Sequence, residues 1–542
     1  MKRIIAILLA LVLAMSLLAC GSSAPADTKE DTKKEEPAKE EEAEPEAPAD
    51  EGEDEGEEEP AAEEDGDIIT DFGGAKITVV MYGGTPEQAG VERVFKKINE
   101  YFMDKWNIDV DIQFFTFGDY VTNTNNLLSS GEPCDIFCSG QLNFTSTVAN
   151  ESCYNMYEDD LIQKYGKDIL TLVDSSFLKG CTIDGALYGI PTMRDLAVGM
   201  WCIVVVRQYM EDAGYDFSKI DPEICNPATE EDMTELFTAL HEAHPEMNVI
   251  YPWGRSLLNQ KFVYDPIGGD DFGVLLDPIN SLEVSDLFSS DMFMDYCKLM
   301  HEWQEKGFIS PDAATDTNGA GTQITAGTLM ADTTGGKPGI VRQKEVERGD
   351  MDSIAFQLGP NFVRAEQASV AAWSINSDCE NPEAAMVVLN ALYTDATVTN
   401  LILWGEEGTD YVFTEDGHID FPEGITKENA EYYNITPAWA LPCEYSTYVR
   451  VGDVIDLWDQ TIEFNNTSDK SKAIGFSFDK SEYTAEYTAL TNIWDEYAPG
   501  LLFGISDPET TIPEMIERMK AAGLDEYIEA KRQAINEWAA NQ

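Results

Sequence analysis

The chain has 542 residues, 43% of them hydrophobic and 10% aromatic, and a formal net charge of −66 from 35 basic against 101 acidic side chains. That length exceeds what one core serves and suits two lobes with appendages. The charge excludes a nucleic-acid binder, whose phosphate contacts need Lys and Arg.

Lys2 and Arg3 lead an apolar run from Ile4 to Ala19 broken only by Ser16. The run is short for a membrane span and fits the core of a secretory signal. Leu17-Leu18-Ala19-Cys20, followed by Gly21-Ser22-Ser23, resembles the lipobox of bacterial lipoproteins, with Leu18 an uncommon choice at its place. The resemblance implies that residues 1–19 are removed, that Cys20 carries lipid, and that the mature chain is anchored to a membrane without spanning it. Residues 20–67 read as an acidic disordered tether: Asp27 to Asp67 holds 22 acidic residues against 4 lysines, a composition that builds no core. About 45 such residues span about 35–40 Å, and more under like-charge repulsion.

The fold begins near Gly74. Lys76 to Tyr82 is predicted as a strand, Gly83-Gly84 turns the chain, and Thr85-Pro86-Glu87-Gln88 forms a capping box. Val91, Val94, Phe95, Ile98, Tyr101 and Phe102 follow at helical spacing, and Ile108, Val110, Ile112 and Phe114 alternate as a strand. A helix through Leu127-Leu128 then leads to a third strand at Asp135-Ile136-Phe137. The βαβαβ order predicts a parallel sheet with ligands at its carboxyl ends, here Tyr82-Gly83-Gly84 and Ser139-Gly140-Gln141.

Asp184-Gly185 marks a tight turn, and Gly189 with Pro191 ends the apolar piece behind it. Arg194 and Asp195 stand directly before Leu196 to Val206, a β-branched run predicted as a strand buried on both faces. Charged groups at the mouth of such a strand suit a cleft beside a chain crossover. Helices are predicted from Gln208 to Ala213, Thr229 to His241 and Phe293 to Lys306, the last with Trp303 at core spacing. His241 and His244 cap a helix end, and neither a metal nor a cofactor is expected. Residues 319–330 and 335–339 are glycine-rich but lack the features of a phosphate loop. Ala371 to Ile375 reads as a strand and Asn381-Pro382-Glu383 as the start of a helix that returns the chain to the first lobe. Ile516, Met519, Leu524, Ile528 and Ile535 give apolar faces to two helices separated by Gly523. Of the ten cysteines, the nine beyond Cys20 stand mostly in apolar runs and are expected to be free thiols.

IDGALYGIP resembles the DGK-x-YG-x-P segment of the family 1 extracellular solute-binding proteins, the receptors of sugar ABC importers, where it leads into the first hinge crossing. SGEPCDIFCSG resembles that family's G-x-x-P-D-[IV] stretch, with Cys134 inserted before Asp135. LWGEEGTDYVFTEDGHIDFPEG, GFSFD and GISDPETTIPEMIERMKAAGLDEYIEAKRQAINEW together resemble the carboxyl-terminal domain of the LipO-like branch. The resemblance implies an α/β, two-lobed, periplasmic-binding-protein-like clamshell of type II, each lobe a mixed and mostly parallel sheet flanked by helices. Lobe 1 is expected over 68–194 and 366–432, and lobe 2 over 195–365, completed by 433–542 with its C-terminal helices.

By that resemblance Tyr82 and Gln141 face the cleft. Arg194, Asp195 and Gln141 suit hydroxyls, while Trp253, Trp373 and Trp439 suit stacking on sugar rings, although Trp373 lies in a strand. The expected function is a monomeric receptor on the outer face of the bacterial cytoplasmic membrane. It captures a carbohydrate by lobe closure and delivers it to ABC permease subunits. The alternatives are a sensory or adhesive lipoprotein binding a glycan or peptide, and a surface glycan-degrading enzyme. For the last, no Gly-x-Ser-x-Gly or His-Glu-x-x-His is present, and the chain has four histidines in all.

Overall fold

The computed structural model describes residues 68–84, 88–252, 258, 261–316 and 318–541. The signal, Cys20, the tether, the first three residues of the Thr85–Gln88 capping box and Trp253 lie outside the described residues. The first lobe is built from β1 (Ala75–Gly83), α1 (Val91–Trp106), β2 (Ile108–Thr116), α2 (Tyr120–Ser130) and β3 (Ile136–Cys138), in the predicted order. β1 pairs parallel with both β2 and β3, and as the interior strand it is buried from Ile77 onward. α1 lays Val94, Ile98 and Phe102 on the core at four-residue spacing and stops where Asn107 turns left-handed.

A hairpin of β4 (Thr182–Ile183) and β5 (Ala186–Leu187) turns on Asp184 and Gly185, at φ 51° and 79°. Two consecutive positive φ values are what a two-residue I′ turn requires. The chain then crosses into β6 (Val198–Val206), buried along its whole length beyond Val198. Around β6 the second lobe assembles β7 (Cys225–Pro227), α3 (Glu230–Ala243), β8 (Asn248–Tyr251), α4 (Asp291–Glu305), β9 (Leu329–Gly336), α5 (Ile340–Glu347), β10 (Ser353–Gln357) and β11 (Asn361–Val363). β9 lies antiparallel on one side of β6, with β10 and β11 antiparallel on the other. β8 and β7 then extend the sheet in parallel. Burial on both faces explains why β6 is an unbroken apolar run.

The chain returns through β12 (Trp373–Ile375), antiparallel to β3, into α6 (Pro382–Thr394) and α7 (Ala396–Trp404). These two apolar helices meet at 73°, and among the described residues no single helix is long and apolar enough to cross a membrane. After α8 (Leu457–Thr467), β13 (Asp469–Lys470) joins the second sheet beside β11, and α9 (Thr484–Leu502), α10 (Pro508–Ala521) and α11 (Leu524–Ala540) pack on the second core.

Among the described residues there are two main hydrophobic cores, one per lobe. The expected return to lobe 2 at 433 falls elsewhere: Ile435, Leu441 and Cys443 belong to the first core, and the chain rejoins the second sheet at β13 and the second core at Ala473 and Phe476. The reason is backbone pairing at the end of β1, where the Gly84 N–H donates to Ile435 O at 3.0 Å and Thr436 Oγ1 donates to Tyr82 O at 2.8 Å. The approach is close enough that a Cβ on Gly83 would sit 2.3 Å from Ile435 O.

All nine described cysteines are free. Burial pushes the thiols of Cys134, Cys153, Cys297 and Cys443 up to about 12 and that of Cys138 to about 11. Cys225 differs: the Cys202 thiol, 3.5 Å away, donates to it and the Lys337 N–H points at it, so its pKa falls below the ordinary value. Alkylation of the native protein at pH 8, read by peptide mass mapping, is expected to label Cys225 at least about ten times faster than the other eight. Uniform labelling would contradict this.

Candidate functional site

The first core ends its early run at Leu196-Ala197 and the second begins at Trp201, so the chain passes from lobe to lobe within a few residues of Arg194. Backbone groups leaving one sheet for another lose their ladder partners, and buried groups need replacements. Asn465, on α8 and 1% exposed, supplies them. Its Oδ1 accepts from the N–H groups of Leu196 and Ala197, both at 2.9 Å, and its Nδ2 donates to Arg194 O at 2.5 Å. Tyr445 OH donates to the same carbonyl at 2.7 Å. The crossing is therefore clamped by an amide that both donates and accepts.

Charge gathers at this clamp. Lys337, from the turn after β9, donates to Asp195 Oδ2 at 2.8 Å. The two stand at a cavity of about 220 Å³ whose wall includes Val198, Thr334, Gly336 and Gln343. Beside the cavity Gln357 reaches between two glycines, where a Cβ on Gly199 or Gly336 would lie 2.1 or 2.5 Å from its Oε1 and would push that side chain aside. Glu444 is 7% exposed behind Asp195. Burial first and the Asp195 charge second raise its carboxyl to about 8, against the opposing pull of Lys337, Arg194 and the Asp195 N–H. Lys337 is itself held above the usual lysine range: burial works against its charge, but the Asp195 carboxylate outweighs it.

Beside the charges stands an aromatic wall. Trp439, 39% exposed, stacks on Phe117 with ring centres 5.7 Å apart, and the Arg194 guanidinium lies over the Trp439 ring at 5.8 Å. Phe117 in turn meets Tyr82 edge-on at 5.6 Å.

Arg194, Asp195 and Trp439 are thus brought together, and Gln141 is half-buried in the turn that follows β3. Tyr82 and Trp373 are not at a surface. They are 1% and 0% exposed and stack on each other at 6.4 Å, and the Tyr82 hydroxyl lies 3.7 Å from Cys138 Sγ. The expectation that these two rings take part in the cleft is corrected accordingly: both are buried in the first core, Tyr82 on β1 between β2 and β3, and Trp373 between β3 and a backbone bridge to Ile190. Trp253 lies outside the described residues. Lys337, Glu444, Asn465 and Phe117 were not predicted. Lys337 had a signal, as the cation within the glycine-rich 335–339, which sequence reasoning tested only as a phosphate loop. Glu444 had none among 101 acidic residues.

A smaller cavity of about 140 Å³ lies in the second lobe between Asp270, Asp271, Glu366 and α9. Among the described residues no three or more His, Cys, Asp or Glu side chains are arranged to hold a metal.

Residues 85–399 match the family described as bacterial extracellular solute-binding protein, and residues 472–540 match a domain of unknown function, DUF3502. A carbohydrate ABC transporter substrate-binding protein of Streptococcus pneumoniae is 24% identical over 468 residues, covering 84% of this chain and 89% of that protein. The crystal structure of the N-glycan transport solute-binding protein NgtS from Streptococcus pneumoniae superposes with a TM-score of 0.71 at 18% identity, covering 85% of this chain and 97% of that one. NgtS in complex with Man5GlcNAc superposes with a TM-score of 0.60 at 20% identity, covering 86% of this chain and 99% of that one. The Streptococcus pneumoniae ABC-transporter substrate-binding protein FusA, in complex with kestose, gives 0.53 at 13% identity, covering 86% and 100%.

Proposed function

Since the chain belongs to the bacterial extracellular solute-binding proteins, we propose that it is a membrane-anchored receptor. It captures a carbohydrate between its two lobes and hands it to the permease of an ABC importer without transforming it. The observation that carries this reading is the grouping of Arg194, Asp195, Lys337 and the half-exposed Trp439 beside a cavity at the point where the chain crosses between lobes. Such a place is where closure of two lobes grips a ligand and where ligand binding shifts an open–closed equilibrium. The cargo named for the relatives, carbohydrate and N-glycan, supports the ligand class. The Leu-Leu-Ala-Cys20 sequence supports the anchor.

A thermal-shift screen against mono- and oligosaccharides tests the reading. Bound glycan raises the melting temperature in proportion to RT ln(1 + [L]/Kd) and is recovered unchanged. Trp439→Ala is expected to weaken glycan binding about three- to ten-fold, with the unliganded melting temperature nearly unmoved, because the ring is already half in solvent. If no sugar stabilises the protein, or if the variant binds like the parent, carbohydrate capture at this wall is wrong.

A further inference from the structure

We propose that the solute carries a carboxylate and that Arg194 binds it, so that the cargo is an acidic glycan, one with a uronate or sialate unit. This rests on the receptor reading above and narrows it. Arg194 is half-buried, and its Nε is enclosed with no acceptor. Among the described residues nothing hydrogen-bonds to its guanidinium or forms an ion pair with it, and the guanidinium lies over the Trp439 ring at 5.8 Å. A guanidinium presents five N–H donors in a planar fork and cannot lose its charge, so burying one unpartnered is costly.

The lack of a partner is informative in a chain whose acidic residues outnumber its basic ones 101 to 35. Two carboxyl groups stand nearby, and both are engaged otherwise. Asp195 holds Lys337 at 2.8 Å. Glu444 accepts the Asp195 N–H, and burial beside Asp195 favours its uncharged form near neutral pH. Of the four groups, two cations then face one anion, and a single positive charge is left over at the cleft. Two oxygens in one plane with one negative charge satisfy both the fork and the charge, and that is a carboxylate. A pair of sugar hydroxyls would satisfy the fork alone. The strongly acidic molecule as a whole repels anions, but that field is screened within about 8 Å at physiological ionic strength, so the local guanidinium decides. The Trp439–Phe117 wall beside it offers the apolar face a pyranose ring needs.

The test is calorimetric titration of the full chain with matched pairs: trigalacturonate against its methyl ester, and sialyllactose against lactose, with maltotriose and mannotriose as neutral references. An acidic member is expected to bind at least about ten-fold tighter than its neutral partner and to weaken as salt rises. Arg194→Gln removes that preference without lowering the unliganded melting temperature, since the crossing is held through the Arg194 carbonyl. Arg194→Lys keeps part of the preference, charge without the fork. Neutral sugars binding as tightly as acidic ones, or Arg194→Gln keeping the preference, overturns the inference and leaves the receptor reading intact. If neither acidic nor neutral glycans bind, both fail.

Discussion

Lys531→Met is expected to lower the unfolding free energy by about 3–5 kcal/mol, the cost of breaking one side of a buried ion pair. Lys531 is fully buried on α11. Its ammonium donates to Asp270 Oδ1 at 2.7 Å and to Gly273 O at 3.1 Å, with the Tyr527 ring 5.3 Å away. Burial pulls the lysine below its ordinary pKa, and Asp270 is the main opposing influence. Removing the ammonium strands the Asp270 carboxylate, whose side chain is 5% exposed. Tyr527 OH still donates to it at 2.9 Å and Lys480 stays 3.6 Å off, which places the loss toward the lower end of the range. The double variant Lys531→Met with Asp270→Leu removes both charges and is expected to recover most of the loss, since an apolar pair carries no desolvation penalty. Urea unfolding with an unchanged m-value and a lowered midpoint is the readout. A shift under about 1 kcal/mol for the single variant would mean that water reaches the site. The contact matters because α11 lies in the carboxyl-terminal region while Asp270 lies in a loop of the second lobe, so the pair fastens one to the other.

Local patterns carried the fold a long way. The alternation of Ile108, Val110, Ile112 and Phe114, the helical spacing from Val91 to Phe102, and the β-branched run ending at Val206 each correspond to an element of matching type. In each the period is set within a few residues by which faces are buried. Asp184-Gly185 was legible because only certain residues accept positive φ in succession. The site was legible only where chain direction marked it. Arg194 and Asp195 precede a buried strand, and charge adjoining a buried run is a local signal. Lys337, Glu444 and Asn465 reach the same place from 142 to 271 positions away, and nothing in their neighbours along the chain records it. Tyr82 and Trp373 failed in the opposite sense. Tyr82 stands one residue before the end of β1, but β1 is flanked on both sides and Trp373 bridges Ile190, so both rings are buried. The return at 433 failed similarly, because Ile435 and Thr436 are held by the end of β1, a contact across some 350 residues.

Glu444→Gln is expected to flatten a pH dependence of stability that the parent shows between about pH 5 and 8. The folded carboxyl is raised to about 8, whereas in the unfolded chain it ionises near the ordinary value of about 4.3. Between those two values the folded protein holds a proton that the unfolded chain has released. Stability from this group is therefore fully present below the unfolded value and is lost as pH rises toward 8, at up to about 1.4 kcal/mol per pH unit. Glutamine imitates the protonated carboxyl in shape and charge. Parent and variant should unfold alike at pH 5, and by pH 8 the variant should be the more stable by about 3 kcal/mol. Asp195→Asn provides the matching control. It removes the repulsion that ranks second to burial among the causes, so the Glu444 midpoint should fall, and the loss of stability should be smaller and should level off at lower pH. It also frees Lys337, whose partner at 2.8 Å is Asp195, to turn toward Glu444 and deepen that fall. Chemical denaturation at intervals from pH 5 to 9 measures all three proteins. Parallel curves for parent and Glu444→Gln would mean that Lys337 and Arg194 already outweigh burial and keep Glu444 ionised, and the positive charge left over at the cleft would then vanish with it.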